Sequence, residues 1–272
     1  MRFKLRPSIW VSILLLIILA IFAIFETQIC PYDPLSIEFS PMEPPNLKNW
    51  FGTDNLGRDV FSRFVAGARI SFVVALTSIL FAAFLGVLLG LIAAYFKKTQ
   101  AVIMRIMDAI WAFPMLLLAM ALAASLRPGI STVIIAISLV YTPLFARLVY
   151  SQALSIIERE FILAARAFGC QPFRMLFTHV LPNLAAPVIV QATLTVGTAI
   201  VLESSLSFLG VGIQPPTPSW GVMIQTGYKW LEQAPWMSIF PGLGIYFTVV
   251  SFSVLGDWLR IILDPKQLTQ KA

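Results

Sequence analysis

The residues able to do covalent or metal chemistry are few and scattered. One histidine, His179, stands alone in 272 residues, and the two cysteines are Cys30 and Cys170. A zinc site needs three or four ligands and a nucleophilic triad needs a positioned base, so neither is supported. No Gly-x4-Gly-Lys-Ser/Thr stretch is present to cradle a nucleotide phosphate. No catalytic residue, metal site or cofactor is therefore expected. What remains is a small set of charges in unusual places. Glu203 closes a long apolar run. Asp54, Arg58 and Asp59 alternate in sign around Gly52 and Gly57. The stretch from Glu158 to Pro182 places Ala164, Ala165, Arg166, Gly169, Cys170, Gln171 and Pro172 between two apolar runs.

The elements that must hold these residues are read from composition. Hydrophobic residues make up 58% of the chain and charged ones 12%, with a mean hydropathy of +0.86. Soluble domains carry about 25% charged residues, so this chain belongs in a bilayer rather than in water. Six stretches free of acid and base are long enough to span: Pro7–Phe25, Ile70–Phe96, Ala109–Leu126, Pro128–Ala146, Met175–Leu202 (its spanning part starting near Asn183) and Gln233–Gly256. Solid apolar runs of this length indicate helices, not barrel strands. The first is read as an uncleaved span, because Glu26–Cys30 lacks a small-x-small cleavage site.

With the N-terminus inside, 13 of the 19 basic residues fall on inner segments and six on outer ones. The predicted topology is all-α with six spans and both termini cytoplasmic. The net charge of +6 then reflects topology and needs no nucleic-acid partner. The two cysteines lie on opposite sides and cannot pair. Gly86-Val-Leu-Leu-Gly90 permits close helix approach, and Pro114 and Pro143 interrupt apolar runs. The division expected is 1–69 for the first span plus a proline-rich outer strap, 70–265 for the core with an inner loop at 147–182, and 266–272 for the tail.

The inner loop is the most informative stretch. Ile156–Phe168 reads as an amphipathic helix, Gly169 as the positive-φ residue that ends it, and Pro172 as the start of a second short helix. At the outer face two readings stand for each charged group. Glu203 either faces a path and meets a substrate's amino terminus, or caps and pairs near the interface. Asp54, Arg58 and Asp59 either contact a partner or gate a path, or form an internal ion-pair and turn network. The structural reading is preferred in both cases.

These residues resemble the membrane permeases of ATP-binding-cassette importers, which carry Glu-Ala-Ala-x3-Gly-x9-Ile-x-Leu-Pro in this loop. Ala164, Ala165, Gly169, Leu181 and Pro182 match; Leu163 and His179 stand in place of the Glu and the Ile. Phe51–Arg63 with Gly67-Ala-Arg-Ile-Ser71, Glu203–Gly221, Gly256-Asp257 and Leu263-Asp-Pro265 are similar to segments of the dipeptide/oligopeptide/nickel branch, in its second, C-type permease. The resemblance implies a type I importer permease fold in a bacterial inner membrane and no enzymatic activity. It also implies a homologous permease partner, two cytoplasmic ATPase subunits seated at Arg166–Pro172, and an outer binding protein that delivers peptides. Nickel or a metal chelate is the alternative cargo. A stand-alone channel or secondary transporter is the contrasting class, for which the spans offer no midplane charges.

Overall fold

The computed structural model describes residues 7–263. The basic residues of the first six positions, Asp264-Pro265 and the tail 266–272 lie outside them. The regular elements among the described residues are helices, with a single isolated antiparallel bridge between Thr53 and Asp59. In chain order the helices are α1 (Pro7–Ile24), α2 (Glu26–Ile29), α3 (Val60–Tyr95), α4 (Lys97–Trp111), α5 (Met115–Ser125), α6 (Ile130–Ile157) and α7 (Glu160–Ala167). They continue as α8 (Pro172–Phe208), α9 (Trp220–Tyr228) and α10 (Trp236–Leu263).

Five of these helices (α1, α3, α6, α8 and α10) are long and apolar enough to cross a membrane, and α4 with α5 forms a sixth candidate broken by a 93° bend. This corrects the continuous third span expected at Ala109–Leu126. Pro114 is responsible: it lacks an N–H, its ring clashes with the preceding turn, and it excludes Phe113 from helical geometry. Helix α5 accordingly starts after Pro114, whose ψ is 124°. Pro143 also interrupts an apolar run but is housed inside α6, in the way membrane helices often tolerate proline.

The second span starts at Val60, ten residues before the run of uncharged residues does. The cause is a cap. The Asp59 carboxylate accepts the Ser62 backbone N–H at 2.7 Å, which starts the helix in the outer segment and carries Arg63 and Arg69 into it. Screening for charge-free stretches could not see this. At the inner side α6 continues to Ile157, so the first eleven residues of the expected loop at 147–182 belong to a span.

The core centres on α3 against α6, with α8 and α10 alongside. Gly86 and Gly90 let the first two helices touch: a Cβ at Gly86 would stand 2.5 Å from the Phe145 Cβ, and one at Gly90 2.6 Å from the Ala146 carbonyl oxygen. That is the close approach expected of the small-residue pair. Toward the outer side Trp220 is fully buried, stacks on Phe64 at 5.5 Å, and donates its indole N–H to the Phe64 carbonyl at 3.1 Å. A separate inner cluster joins Leu91, Val149, Ile156, Ile162, Met175, Leu176 and Leu184.

Candidate functional site: an inner elbow and an outer framework

The inner elbow is built from the end of α6 through α7 to the start of α8. Helix α6 stops at Glu158, and α7 begins after Arg159, so the helix expected over Ile156–Phe168 is two helices joined by a corner. Helix α7 ends in a Schellman arrangement. The Cys170 N–H reaches the Ala165 carbonyl at 3.1 Å, and the Gly169 N–H reaches the Arg166 carbonyl at 3.0 Å. Gly169 has φ of 77°, the left-handed conformation this motif asks of its C′ residue. Ala165 and Cys170 both pack on the inner apolar cluster, giving the accompanying apolar contact. Gln171 then precedes Pro172 at the first position of α8.

The second helix of the elbow is not short. It passes through a π-helical segment, Met175–Val180, directly into the span. Ile162, Met175 and Leu176 are buried and fasten α7 to α6 and α8. The opposite face is bare: Phe168 is 92% exposed, Phe173 64% and Leu163 49%, and Ala164, Gln171 and Pro172 are exposed beside them. Nothing lies within 4 Å of where a Gly169 Cβ would be. The Arg166 guanidinium sits over the Tyr95 ring at 5.7 Å, a cation–π contact that steadies it at the elbow. Ile162 as anchor and Phe168 as exposed tip were missed in the sequence; the signal was their six-residue separation, which on a helix puts them on different faces.

The outer charges are buried. Asp54, Arg58 and Asp59 are 3%, 7% and 1% exposed. One Asp54 oxygen accepts the backbone N–H groups of Leu56 and Arg58 at 2.8 and 3.0 Å, and the other accepts Arg58 Nε at 2.6 Å with Arg63 Nε at 3.5 Å. The Arg58–Asp54 pair closes a turn through Gly57, with φ of 80°, and not a turn of helix. Asp59 takes Asn49 Nδ2 at 2.9 Å on one oxygen and Ser62 on the other. Gly52 and Gly57 hold this tight: a Cβ on Gly52 would stand 2.6 Å from the Glu43 carbonyl oxygen.

Glu203 is also fully buried. Its carboxylate accepts the hydroxyls of Ser71 at 3.0 Å, Ser204 at 3.2 Å and Ser207 at 2.9 Å. Ser71 in turn receives the Trp220 backbone N–H, and Ser207 that of Ile213. The acid thus ties α3, α8 and α9 together, and no Lys or Arg pairs with it among the described residues. The serines sit at 204 and 207 and are seen as a cage only once α3 is placed beside them.

Between the inner halves of α6, α8 and α10 lies a cavity of about 640 Å³, walled by apolar residues together with Gln152, Arg159, Asn183, Gln191 and Arg260. Its signal in the sequence was a stripe, Asn183, Pro187 and Gln191, spaced four apart on one helical face.

Residues 86–269 match the family described as binding-protein-dependent transport system inner membrane component. The chain belongs to this permease family. It is 46% identical over 226 residues to the dipeptide transport system permease protein DppC of Alkalihalophilus pseudofirmus, covering 83% of this chain and 74% of that one. It is 41% identical over 268 residues to the glutathione transport system permease protein GsiD of Escherichia coli, covering 97% and 88%. A putative peptide transport system permease of Brucella suis is 38% identical over 266 residues, covering 97% and 90%. Among solved structures, the inward-facing MetNI methionine transporter superposes with a TM-score of 0.61 at 18% identity, over 74% of this chain and 96% of that one. The permease fold is thereby shared, and the elbow, outer framework and cavity are features of a membrane permease subunit.

Proposed function

We propose that this permease carries peptides inward as one half of a translocation path, with a homologous permease as the other half. The supporting observation is the relatedness to dipeptide and glutathione permeases over nearly the whole chain. In this reading an outer binding protein delivers the peptide, and two cytoplasmic ATPase subunits supply the energy. The elbow residues Ala164, Ala165, Arg166, Gly169, Cys170, Gln171 and Pro172 seat the ATPase, with Phe168 as the apolar anchor. An aromatic side chain 92% exposed at a rigid turn is the kind of group that fills a partner's pocket. The cavity walled by Gln152, Asn183 and Gln191 together with Arg159 and Arg260 is this subunit's share of the inner path, polar enough for a peptide backbone. Asp54, Arg58, Asp59 and Glu203 act as the framework that keeps the outer ends of α3, α8 and α9 in register.

The test is reconstitution. With its partner permease, ATPases and binding protein in liposomes, the chain should support uptake of a labelled dipeptide only when ATP and binding protein are both supplied. Uptake by this polypeptide alone, without ATPase, would overturn the assignment. ATP-dependent uptake of nickel chelate in preference to peptide would overturn the cargo while sparing the mechanism.

A further inference from the structure

Helix α4 has one face on the protein and one face without a partner. Gln100, Ile103, Met104 and Met107 turn toward α3 and α6, whereas Lys98, Val102, Arg105 and Ile106 are exposed. Its orientation follows from two contacts with α6. The Gln100 amide donates to the Tyr150 hydroxyl at 2.5 Å, and Asp108 accepts from the Arg147 guanidinium at 2.6 Å. Gln100 and Asp108 are ~12 Å apart along α4, but Arg147 and Tyr150 are only ~4.5 Å apart along α6. Helix α4 therefore lies across α6, in keeping with its 93° bend from α5, which packs beside α6.

The depth follows in the same way. Arg147 is ~26 Å along α6 from its outer start at Ile130, close to the ~30 Å thickness of a hydrocarbon core. So α4 lies in the plane of the membrane at its inner surface. Lys98 and Arg105, seven residues apart, share the outward-facing stripe, and Val102 and Ile106, 60% and 52% exposed, flank them. Neither base has an acid partner among the described residues; the helix's own Asp108 is taken by Arg147. Lys97 and Lys98 also stand in the first turn, where the helix dipole already concentrates positive charge and no acidic residue offsets it.

We infer that this face of α4 is a binding surface for anionic phospholipid headgroups of the inner leaflet, with Lys98 and Arg105 on the phosphates and Val102 and Ile106 among the acyl chains. An in-plane helix with basic and apolar residues on its free face is what a negatively charged interface recognises. Charge and depth favour lipid over a protein surface, for which the exposed aliphatic flank would need a dry, uncharged counterpart.

The experiment uses the complete transporter in phosphatidylcholine vesicles containing a minor fraction of phosphatidylglycerol. A benzoylphenylalanine crosslinker at Val102 captures whatever lies between the two charges, and mass analysis identifies it. The expected result is phosphatidylglycerol adducts in excess of its mole fraction. In Lys98→Gln/Arg105→Gln that preference should fall by roughly 30-fold, the factor for ~1 kcal/mol per basic residue near an anionic surface. Lys98→Arg/Arg105→Lys should retain it. Should the glutamine variant fail to assemble, raising the salt concentration on the unsubstituted bases should erode the same preference. Adducts in simple mole ratio, a ratio indifferent to both charge and salt, or a crosslink to another subunit would each overturn the inference. Transport is measured separately, so the peptide-import reading stands or falls independently.

Discussion

At the outer end of α8, Glu203 is wholly buried and accepts three serine hydroxyls; before its inner end, Phe168 is 92% exposed and a Cβ on Gly169 would meet nothing within 4 Å. Both regions are charged or polar islands in an apolar chain, yet one has all its partners within the fold and the other has few. A carboxylate can be buried only where donors surround it, so the outer framework must be complete before the chain leaves its own surface. An exposed phenylalanine beside a fixed turn costs the folded chain little and gains its worth when covered. In the proposed reading, the contrast separates residues that make this subunit fold from residues that make it assemble.

The largest break in that contrast should come from Asp54→Ala. It strands the buried Arg58 and Arg63 guanidiniums and two backbone N–H groups, a loss of about 3–5 kcal/mol for a buried pair. The yield of folded, detergent-solubilised protein and its unfolding midpoint should both drop sharply; an unchanged midpoint would mean the framework is not needed for folding. Next is Phe168→Ala, which should leave the midpoint alone and weaken ATPase retention by about 2 kcal/mol, the level of an interface anchor. Co-purification of the ATPases measures this, and undiminished retention would move the anchor elsewhere.

Gly169→Val sharpens the comparison from the backbone side. There is room for the side chain, so the penalty is conformational, about 1–2 kcal/mol for the left-handed geometry. Insertion should survive while uptake fails; normal uptake would show that the Schellman turn is dispensable. The smallest effect concerns Cys30, on the outer side. Burial, then the nearby Glu26, Asp59 and Asp33 carboxylates, push its thiol up from 9.0 to about 11, and its Sγ–H points to the Ser62 carbonyl at 3.4 Å. Alkylation by an impermeant reagent should therefore be slow at neutral pH and climb about tenfold per pH unit toward 11, because only the thiolate reacts. The raised value also means that this group's contribution to stability is intact below pH 9 and is lost as pH rises to 11. External labelling of Cys170 under the same conditions would reverse the proposed orientation.

Much of this was legible in the residues. Long apolar runs located the five full spans, the small-residue pair marked the α3–α6 contact, and Gly169 before Pro172 announced the elbow. Three things were not. The start of α3 was hidden because its first turns carry Arg63 and Arg69, whose partners are Asp54 and the Pro34 carbonyl for the one and Glu26 for the other. The break at Pro114 was hidden because Pro143 in a similar run stays helical, so composition cannot tell a bend from a tolerated proline. The burial of Glu203 depends on Ser71, more than a hundred residues earlier in the chain, a proximity that no local pattern encodes.

Helix α8 runs for 37 residues from Pro172 to Phe208, a rod of ~55 Å. Such a rod magnifies angle: turning it by about 5° around its inner end carries the outer end roughly 5 Å sideways at 1.5 Å of rise per residue. The π-helical segment Met175–Val180 places an irregular turn close to that inner end, where a pivot gives the longest arm. A side-chain-sized nudge at the cytoplasmic corner would thus be returned at the far surface at several times its amplitude, and Glu203, clamped to two other helices, would spread it across all three.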